Sequence, residues 1–140
     1  MLVLINSLSV VVLLVGWWIA VSVYPRLPDR IPIHFGLSGE ADGWGGRAMI
    51  FLLPAVQVGM ALLFFFVFQH EHRATRPLSE AARLPLRMLT LEMQVMFTWL
   101  TWRISENAFG RAQGLSVWFL PVILLVLGAT SAWMVVAGRG

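Results

Sequence analysis

The stretch "YPRLPDRIPIHFGLSGEADGWGGR", from Tyr24 to Arg47, is the one long polar interval in the first half of the chain. Pro25, Pro28 and Pro32 prevent a preceding helix from continuing, because proline lacks the backbone N–H and fixes the backbone angle φ. The glycines that follow, with the pair Asp42–Gly43, favour tight turns. The sequence therefore predicts a connector with a defined fold over residues 24–47, and not a slack linker.

Hydrophobic residues dominate the remainder of the chain. The protein has 140 residues, of which 59% are hydrophobic and 12% are charged, and its mean hydropathy is +0.79. Soluble domains carry about 25% charged residues. The composition therefore predicts a protein surrounded by a lipid bilayer.

Four segments are predicted to cross that bilayer. About 20 helical residues span a hydrocarbon core of about 30 Å, and residues 3–23, 48–69 and 115–137 meet this length with almost no charge. Residues 88–104 are shorter and more polar, but a soluble position would leave their Met, Phe and Trp side chains in water. The predicted fold class is all-α: a single domain over residues 1–140, with four transmembrane helices in an antiparallel bundle and a structured loop between the first two.

Arginine alone supplies the positive charge, since all ten basic residues are Arg. The connector between the second and third helices has four arginines against two glutamates, which favours the cytoplasmic side. We therefore expect a multi-pass protein of the bacterial inner membrane with both termini cytoplasmic. Anionic lipid headgroups are the expected partners of these arginines, which are Arg73, Arg76, Arg83 and Arg87.

The third helix carries polar side chains on two faces. Gln94, Thr98 and Thr101 share one stripe, and Glu92 lies roughly opposite. Unsatisfied polar groups in lipid cost several kcal/mol, so we expect this helix to pack against protein. The stripe is interpreted as hydrogen bonds between helices or, alternatively, as a polar pathway. Glu92 is expected to extend toward water or to pair with Arg87 or Arg83; the alternative is that it carries protons.

Several classes of function lack any sequence support. There is no cysteine, and the chain contains no P-loop, dinucleotide-binding glycine motif, nucleophile elbow or zinc-protease motif. We therefore expect no enzymatic activity, no cofactor and no metal. The basic character comes from a few arginines in a sparsely charged chain, so no nucleic acid is expected as a partner.

The polar connector resembles a bacterial membrane family of unknown function. Its loop has the pattern LP-x-x-IP-x-HF-x-x-x-G-x-x-D-x-W, which also occurs in the N-terminal module of SdpI-like immunity proteins. This resemblance implies a membrane module that protects a cell from a toxin made by its siblings. The residues that carry it are Leu27, Pro28, Ile31, Pro32, His34, Phe35, Gly39, Asp42, Trp44 and Arg47.

The connector is also the predicted binding surface. We expect it to fold back over the helix ends as a compact cap, with His34 and Trp44 turned toward the bundle and Arg47 paired with Asp42 or Glu40. A stiff loop loses little entropy when a partner binds. The candidate residues for partner binding or for the structure of the loop are Pro28, Pro32, His34, Phe35, Gly39, Glu40, Asp42, Trp44 and Arg47.

Three functions follow as hypotheses. The first is a non-enzymatic accessory or stabilising subunit, which docks on another membrane protein or a larger complex. The second is an SdpI-like toxin-immunity or sensing protein, as the loop implies. The third is a small proton-coupled transporter, based on Glu92 and the polar stripe.

Overall fold

The computed structural model describes residues 1–73 and 80–138. It contains four α-helices and a small β-hairpin between the first two helices. Short 3-10 helices, Tyr24–Arg26 and Arg47–Phe51, join the hairpin to the flanking α-helices. The elements are α1 (Leu2–Val23), β1 (Arg30–Phe35), β2 (Ala41–Gly46), α2 (Leu52–Arg73), α3 (Glu80–Ala108) and α4 (Phe119–Ala137).

The hairpin corrects the all-α expectation. The connector was predicted to be structured, but its two antiparallel strands were not foreseen. The prolines exclude helix and favour extended backbone, and the turn residues then let the chain reverse. The protein is mostly helical with one small sheet.

Three of the helical segments in the described part of the chain have the length and composition to cross a membrane. They are Leu2–Arg26, Arg47–His70 and Phe119–Ala137. The predicted segments 3–23, 48–69 and 115–137 thus coincide with three helices that are long and apolar enough to cross a membrane. Helix α3 does not meet the same criteria, because polar side chains lower its hydropathy.

Helix α3 is longer than expected and occupies the centre of the bundle. It has 29 residues, with Pro85 inside its first turns, where only residues 88–104 were predicted to span. It contacts α1, α2 and α4, and its polar residues Gln94, Thr101 and Ser105 are buried. The expectation that α3 packs against protein is therefore confirmed.

The direction of each helix follows from pairs of contacts. Thr98 of α3 donates to the backbone oxygen of Val12 in α1, while Ile104 and Ala20 share a cluster further along both helices. Residue numbers rise together, so α1 and α3 run parallel. Helices α2 and α4 run the opposite way to α3, as shown by two further pairs of contacts in each case. For α2 these are Arg87 with Phe68 and Gln94 with Gln57. For α4 they are Trp99 with Phe119 and Glu92 with Thr130.

Two glutamines bind α2 to α3 in the middle of the bundle. Gln57 Nε2 donates to the backbone oxygen of Gln94 at 2.8 Å and to Thr98 Oγ1 at 2.9 Å. Gln94 Nε2 donates in return to the backbone oxygen of Gln57 at 3.2 Å. Thr98 then bonds to α1 through Val12 at 3.0 Å. Four hydrogen bonds thus connect three helices, and we call this set the amide lock.

Gly16 of α1 provides the space for this lock. A Cβ atom at Gly16 would lie 2.6 Å from Gln57 Oε1 and 3.0 Å from Thr98 Oγ1. By contrast, a Cβ at Gly59 in α2 or at Gly128 in α4 would meet nothing within 4 Å. Only the first of these three glycines is required by packing inside the described chain.

We expect Gly16→Ala to destabilise the protein and Gly128→Ala to leave it unchanged or slightly more stable. Overpacking costs about 1–3 kcal/mol, whereas alanine is favoured over glycine in a helix by up to about 1 kcal/mol. The melting temperature in mild detergent measures both. Equal shifts for the two variants would show that α1 does not approach Gln57 as closely as described.

Candidate functional site

The hairpin is built so that adjacent residues of one strand enter the core. Strand β1 pairs with β2 in antiparallel register, with Ile31 opposite Gly45 and Pro32 opposite Trp44. The register shifts after Pro32 and again after His34. Ile31 and Pro32 are both buried, although a regular strand would place neighbouring side chains on opposite faces. Two consecutive residues of β1 therefore hold the hairpin in the core.

An apolar cluster beneath the hairpin joins it to the helix ends. This cluster brings together the end of α1, the connector, the second 3-10 helix and the end of α3. The predicted compact cap over the helix ends is therefore confirmed, and we call residues 27–46 the hairpin cap. Its buried members are Ala20, Leu27, Ile31, Ile50 and Ile104.

The tip of the hairpin cap rests on the loop between α3 and α4. Leu115 N donates to the backbone oxygen of Gly39 at 2.7 Å. Gly39 has a φ of +83°, and a Cβ there would lie 2.3 Å from Leu115 O. The same contact seen from the other side involves Gly114, where a Cβ would lie 2.1 Å from Gly39 O. Two glycines are required at this contact because the two backbones touch.

Side chains from α3 hold the loop that receives the tip. Asn107 Oδ1 accepts from Gly114 N at 2.5 Å, and Arg103 Nε donates to Gly114 O at 3.0 Å. Glu106 and Arg111 form a bidentate ion pair. The hydrogen bond from Arg111 lowers the pKa of the Glu106 carboxyl below its usual value, against the opposing effect of burial. Sequence analysis missed Asn107 and Gly114, since neither lies in a recognisable motif.

His34 and Asp42 form a pair on the outer surface of the hairpin cap. His34 Nδ1 lies 2.5 Å from Asp42 Oδ1, and the side chains are 72% and 53% exposed. Trp44 is 53% exposed. The expectation that His34 and Trp44 turn toward the bundle was therefore wrong. Ile31 and Pro32 are the buried residues of β1 instead.

The expected ion pair of Arg47 with Asp42 or Glu40 was also wrong. The Arg47 guanidinium carbon lies 5.4 Å from the centroid of the Tyr24 ring, and Asp42 pairs with His34. Arg47 N donates to Asp29 O at 3.0 Å. Arg47 therefore ties the two ends of the hairpin cap together instead of bridging its tip.

The remaining residues predicted for the cap have structural positions. Pro32 is buried, and Phe35 packs against the apolar cluster. Glu40 accepts a backbone bond from Gly36 at 2.9 Å and is exposed, as is Pro28. Leu37, at the tip, is 93% exposed and was not among the candidates.

The intramembrane candidates separate into bonds between helices and bonds within one helix. Gln94 and Thr98 belong to the amide lock, whereas Thr101 Oγ1 donates to Phe97 O of its own helix at 2.8 Å. Glu92 Oε1 accepts from Thr130 Oγ1 of α4 at 2.6 Å. The alternative that Glu92 pairs with Arg87 does not hold. Gln57 was missed, although an amide in the middle of an apolar span was a usable signal.

The arginines predicted to meet lipid headgroups have mixed outcomes. Arg87 is buried, at 9% exposure, and its guanidinium carbon lies 4.4 Å from the Phe68 ring centroid. A headgroup role for Arg87 is therefore wrong, because the side chain packs inside the bundle. Arg83 is half-buried. Arg76 and the side chain of Arg73 lie outside the described residues.

Part of the chain is similar to known proteins. Residues 11–58 match the model of a family described as a domain of unknown function, DUF1648; this segment covers half of α1, the hairpin cap and the start of α2. An uncharacterized protein of Archaeoglobus fulgidus is 37% identical over 49 residues, which are 35% of this chain and 27% of that protein. The matching part thus spans about a quarter of that relative's length. No solved structure matches the chain.

We expect Gly39→Ala to loosen the hairpin cap more than Gly110→Ala. Both glycines have positive φ, +83° and +70°, so both variants carry the same kind of backbone strain. Only the alanine at position 39 also collides with Leu115. Amide hydrogen exchange of residues 30–46 should rise strongly in Gly39→Ala and little in Gly110→Ala. Equal exchange in the two variants would contradict the docking of the tip.

Proposed function

We propose that this protein is a non-enzymatic, small integral membrane protein that docks as an accessory subunit on a larger membrane complex through its hairpin cap. The observation that carries the proposal is the combination of a firmly held hairpin and an exposed tip. Leu37 is 93% exposed, while the backbone two residues later is fixed to Leu115. A rigid apolar tip loses little conformational entropy on binding.

The two outer helices support docking in a membrane. The sides of α2 and α4 that carry Gly59 and Gly128 have open space where a Cβ would lie. Close approach of helices at small residues is the usual basis of association in lipid. These sides supplement the cap and do not by themselves identify a partner.

We further infer that α3 is a fourth transmembrane helix. Thr98 and Ile104 of α3 lie beside the segment of α1 from Val12 to Ala20. Helix α3 therefore lies at the same depth as α1, which has the length and composition to span a membrane. Together with the alternating directions, this supports an antiparallel four-helix bundle. The arginine distribution favours cytoplasmic termini and an external hairpin cap in a bacterial inner membrane.

An SdpI-like immunity or sensing role is the second candidate. The observation that favours it is the position of the family match, which covers the hairpin cap with the adjoining parts of α1 and α2. Deletion of the gene should then raise sensitivity to a toxin from sibling cells, and Asp42→Asn should fail to restore resistance. Unchanged sensitivity in the deletion strain would remove this candidate. A proton-coupled transporter has less support, since Gln94 and Thr98 are engaged in the amide lock.

We expect the protein to copurify with a stoichiometric membrane partner after extraction in mild detergent. Leu37→Asp should reduce the amount of partner without changing the melting temperature, because Leu37 contributes almost no buried surface. Val136→Ser is the matched control: its side chain is 68% exposed and lies at the opposite end of the bundle. A lone monodisperse monomer, or equal loss of partner in both variants, would contradict the accessory role.

A further inference from the structure

A groove between α3 and α4 has a size and a lining suited to a small organic ligand. Its volume is about 530 Å³, within the range of about 300–1,000 Å³ that is typical of ligand pockets. Apolar and aromatic side chains of both helices form its walls, among them Val95, Trp99, Trp118, Phe119 and Val122. The groove opens to the side of the bundle, where Val95 and Val122 are about half exposed.

Glu92 is the one acidic residue among the side chains that line this groove. Its Oε1 accepts from Thr130 Oγ1 at 2.6 Å, whereas its Oε2 is buried and has no hydrogen-bond partner. A hydroxyl group satisfies one oxygen but does not neutralise the carboxylate. An ionised carboxylate in a low-dielectric membrane interior is costly unless a counter-charge is near.

No described side chain supplies that counter-charge. Arg87, one and a half turns away, lies over Phe68 on the α2 side of the helix. Arg103, which follows Glu92 in α3, donates to the backbone oxygen of Gly114. The ion pairs His34–Asp42 and Glu106–Arg111 of the described residues do not involve Glu92. A bound cation would therefore supply the charge that these side chains do not.

The aromatic wall favours a cation that carries apolar groups. Trp99 and Phe119 both line the groove, and their rings stack at a centroid distance of 4.6 Å with an angle of 13° between planes. Aromatic faces attract substituted ammonium ions by cation–π interaction. A small hydrated metal ion would gain nothing from these walls, whereas a lipophilic organic cation fits both the rings and the carboxylate.

We propose that the α3–α4 groove binds a lipophilic organic cation, with Glu92 as its counter-charge and Trp99 and Phe119 as its aromatic wall. Thr130 is a positioning residue, since its hydrogen bond fixes the carboxylate in the groove wall. The ligand enters from the lipid side, where amphiphilic cations concentrate. This site is independent of the hairpin cap and of the accessory role.

Equilibrium dialysis of tetraphenylphosphonium against the purified full chain in detergent tests the proposal. We expect saturable binding of one cation per chain, and an affinity lower by about tenfold or more in Glu92→Gln, which equals about 1.4 kcal/mol or more. Glutamine keeps an oxygen to accept from Thr130, so the substitution removes charge and preserves shape. Glu106→Gln is the matched control, because Glu106 pairs with Arg111 outside the groove, and its affinity should equal that of the unaltered chain.

Two further arms keep the proposal falsifiable if Glu92→Gln misfolds. Val122→Trp should fill the groove and abolish binding with Glu92 intact. Triphenylphosphine oxide, which is neutral and similarly bulky, should compete poorly. Absence of saturable binding by the unaltered chain, equal affinities for Glu92→Gln and Glu106→Gln, or strong competition by the neutral compound would overturn the proposal.

Discussion

The amide lock between Gln57, Gln94 and Thr98 is the interaction on which the arrangement of the helices depends. In lipid, helices gain little from burying apolar surface against each other, because the lipid tails are equally apolar. Packing at small residues and hydrogen bonds between helices must supply the association. Gln57 and Gln94 are almost fully buried, at 0% and 2% exposure, and Thr98 extends their contact to α1. The lock therefore fixes the register of three helices at one depth.

The hairpin cap depends on that register. Its core position is formed by Ala20 from α1, Ile50 before α2 and Ile104 from α3, and these meet only if the three helices are aligned as the lock aligns them. The tip in turn needs Gly114, which Asn107 of α3 holds in place. One longitudinal shift of α3 would separate both contacts. The position of α3 in the bundle thus also determines the position of the hairpin cap, which is the surface that we propose to be functional.

The sequence was sufficient for the membrane character and for the presence of a cap. Long uncharged runs are dictated by the solvent, and prolines and glycines act locally, so both can be predicted without tertiary contacts. It was not sufficient to predict which side chains of the hairpin face the bundle. His34 and Trp44 were expected to turn toward the bundle, yet Ile31 and Pro32 are the buried residues of β1. The alternation of a regular strand does not predict two neighbouring buried side chains.

Polar residues of the interior show the same limit. The stripe on α3 was visible from its spacing, and its role in helix contacts could be anticipated. That Gln57 meets this stripe and that Thr130 meets Glu92 could not be predicted, since only the packing of the helices brings these residues to α3. Arg87 was misassigned for a related reason: an arginine near a helix end is usually placed in headgroups, but Phe68 of α2 offers it a closer contact.

A double-mutant cycle on Gln57→Leu and Thr98→Val measures the amide lock most directly, because Gln57 Nε2 donates to Thr98 Oγ1 and the bond joins two side chains. Gln57→Leu removes the donor, Thr98→Val removes the acceptor, and the double variant removes both. Unfolding free energies in detergent should therefore be non-additive, with the double variant losing less than the sum of the singles by about 1 kcal/mol or more. Additivity within about 0.3 kcal/mol would mean that the two side chains do not interact, and the account of how α3 aligns the bundle and its cap would be contradicted.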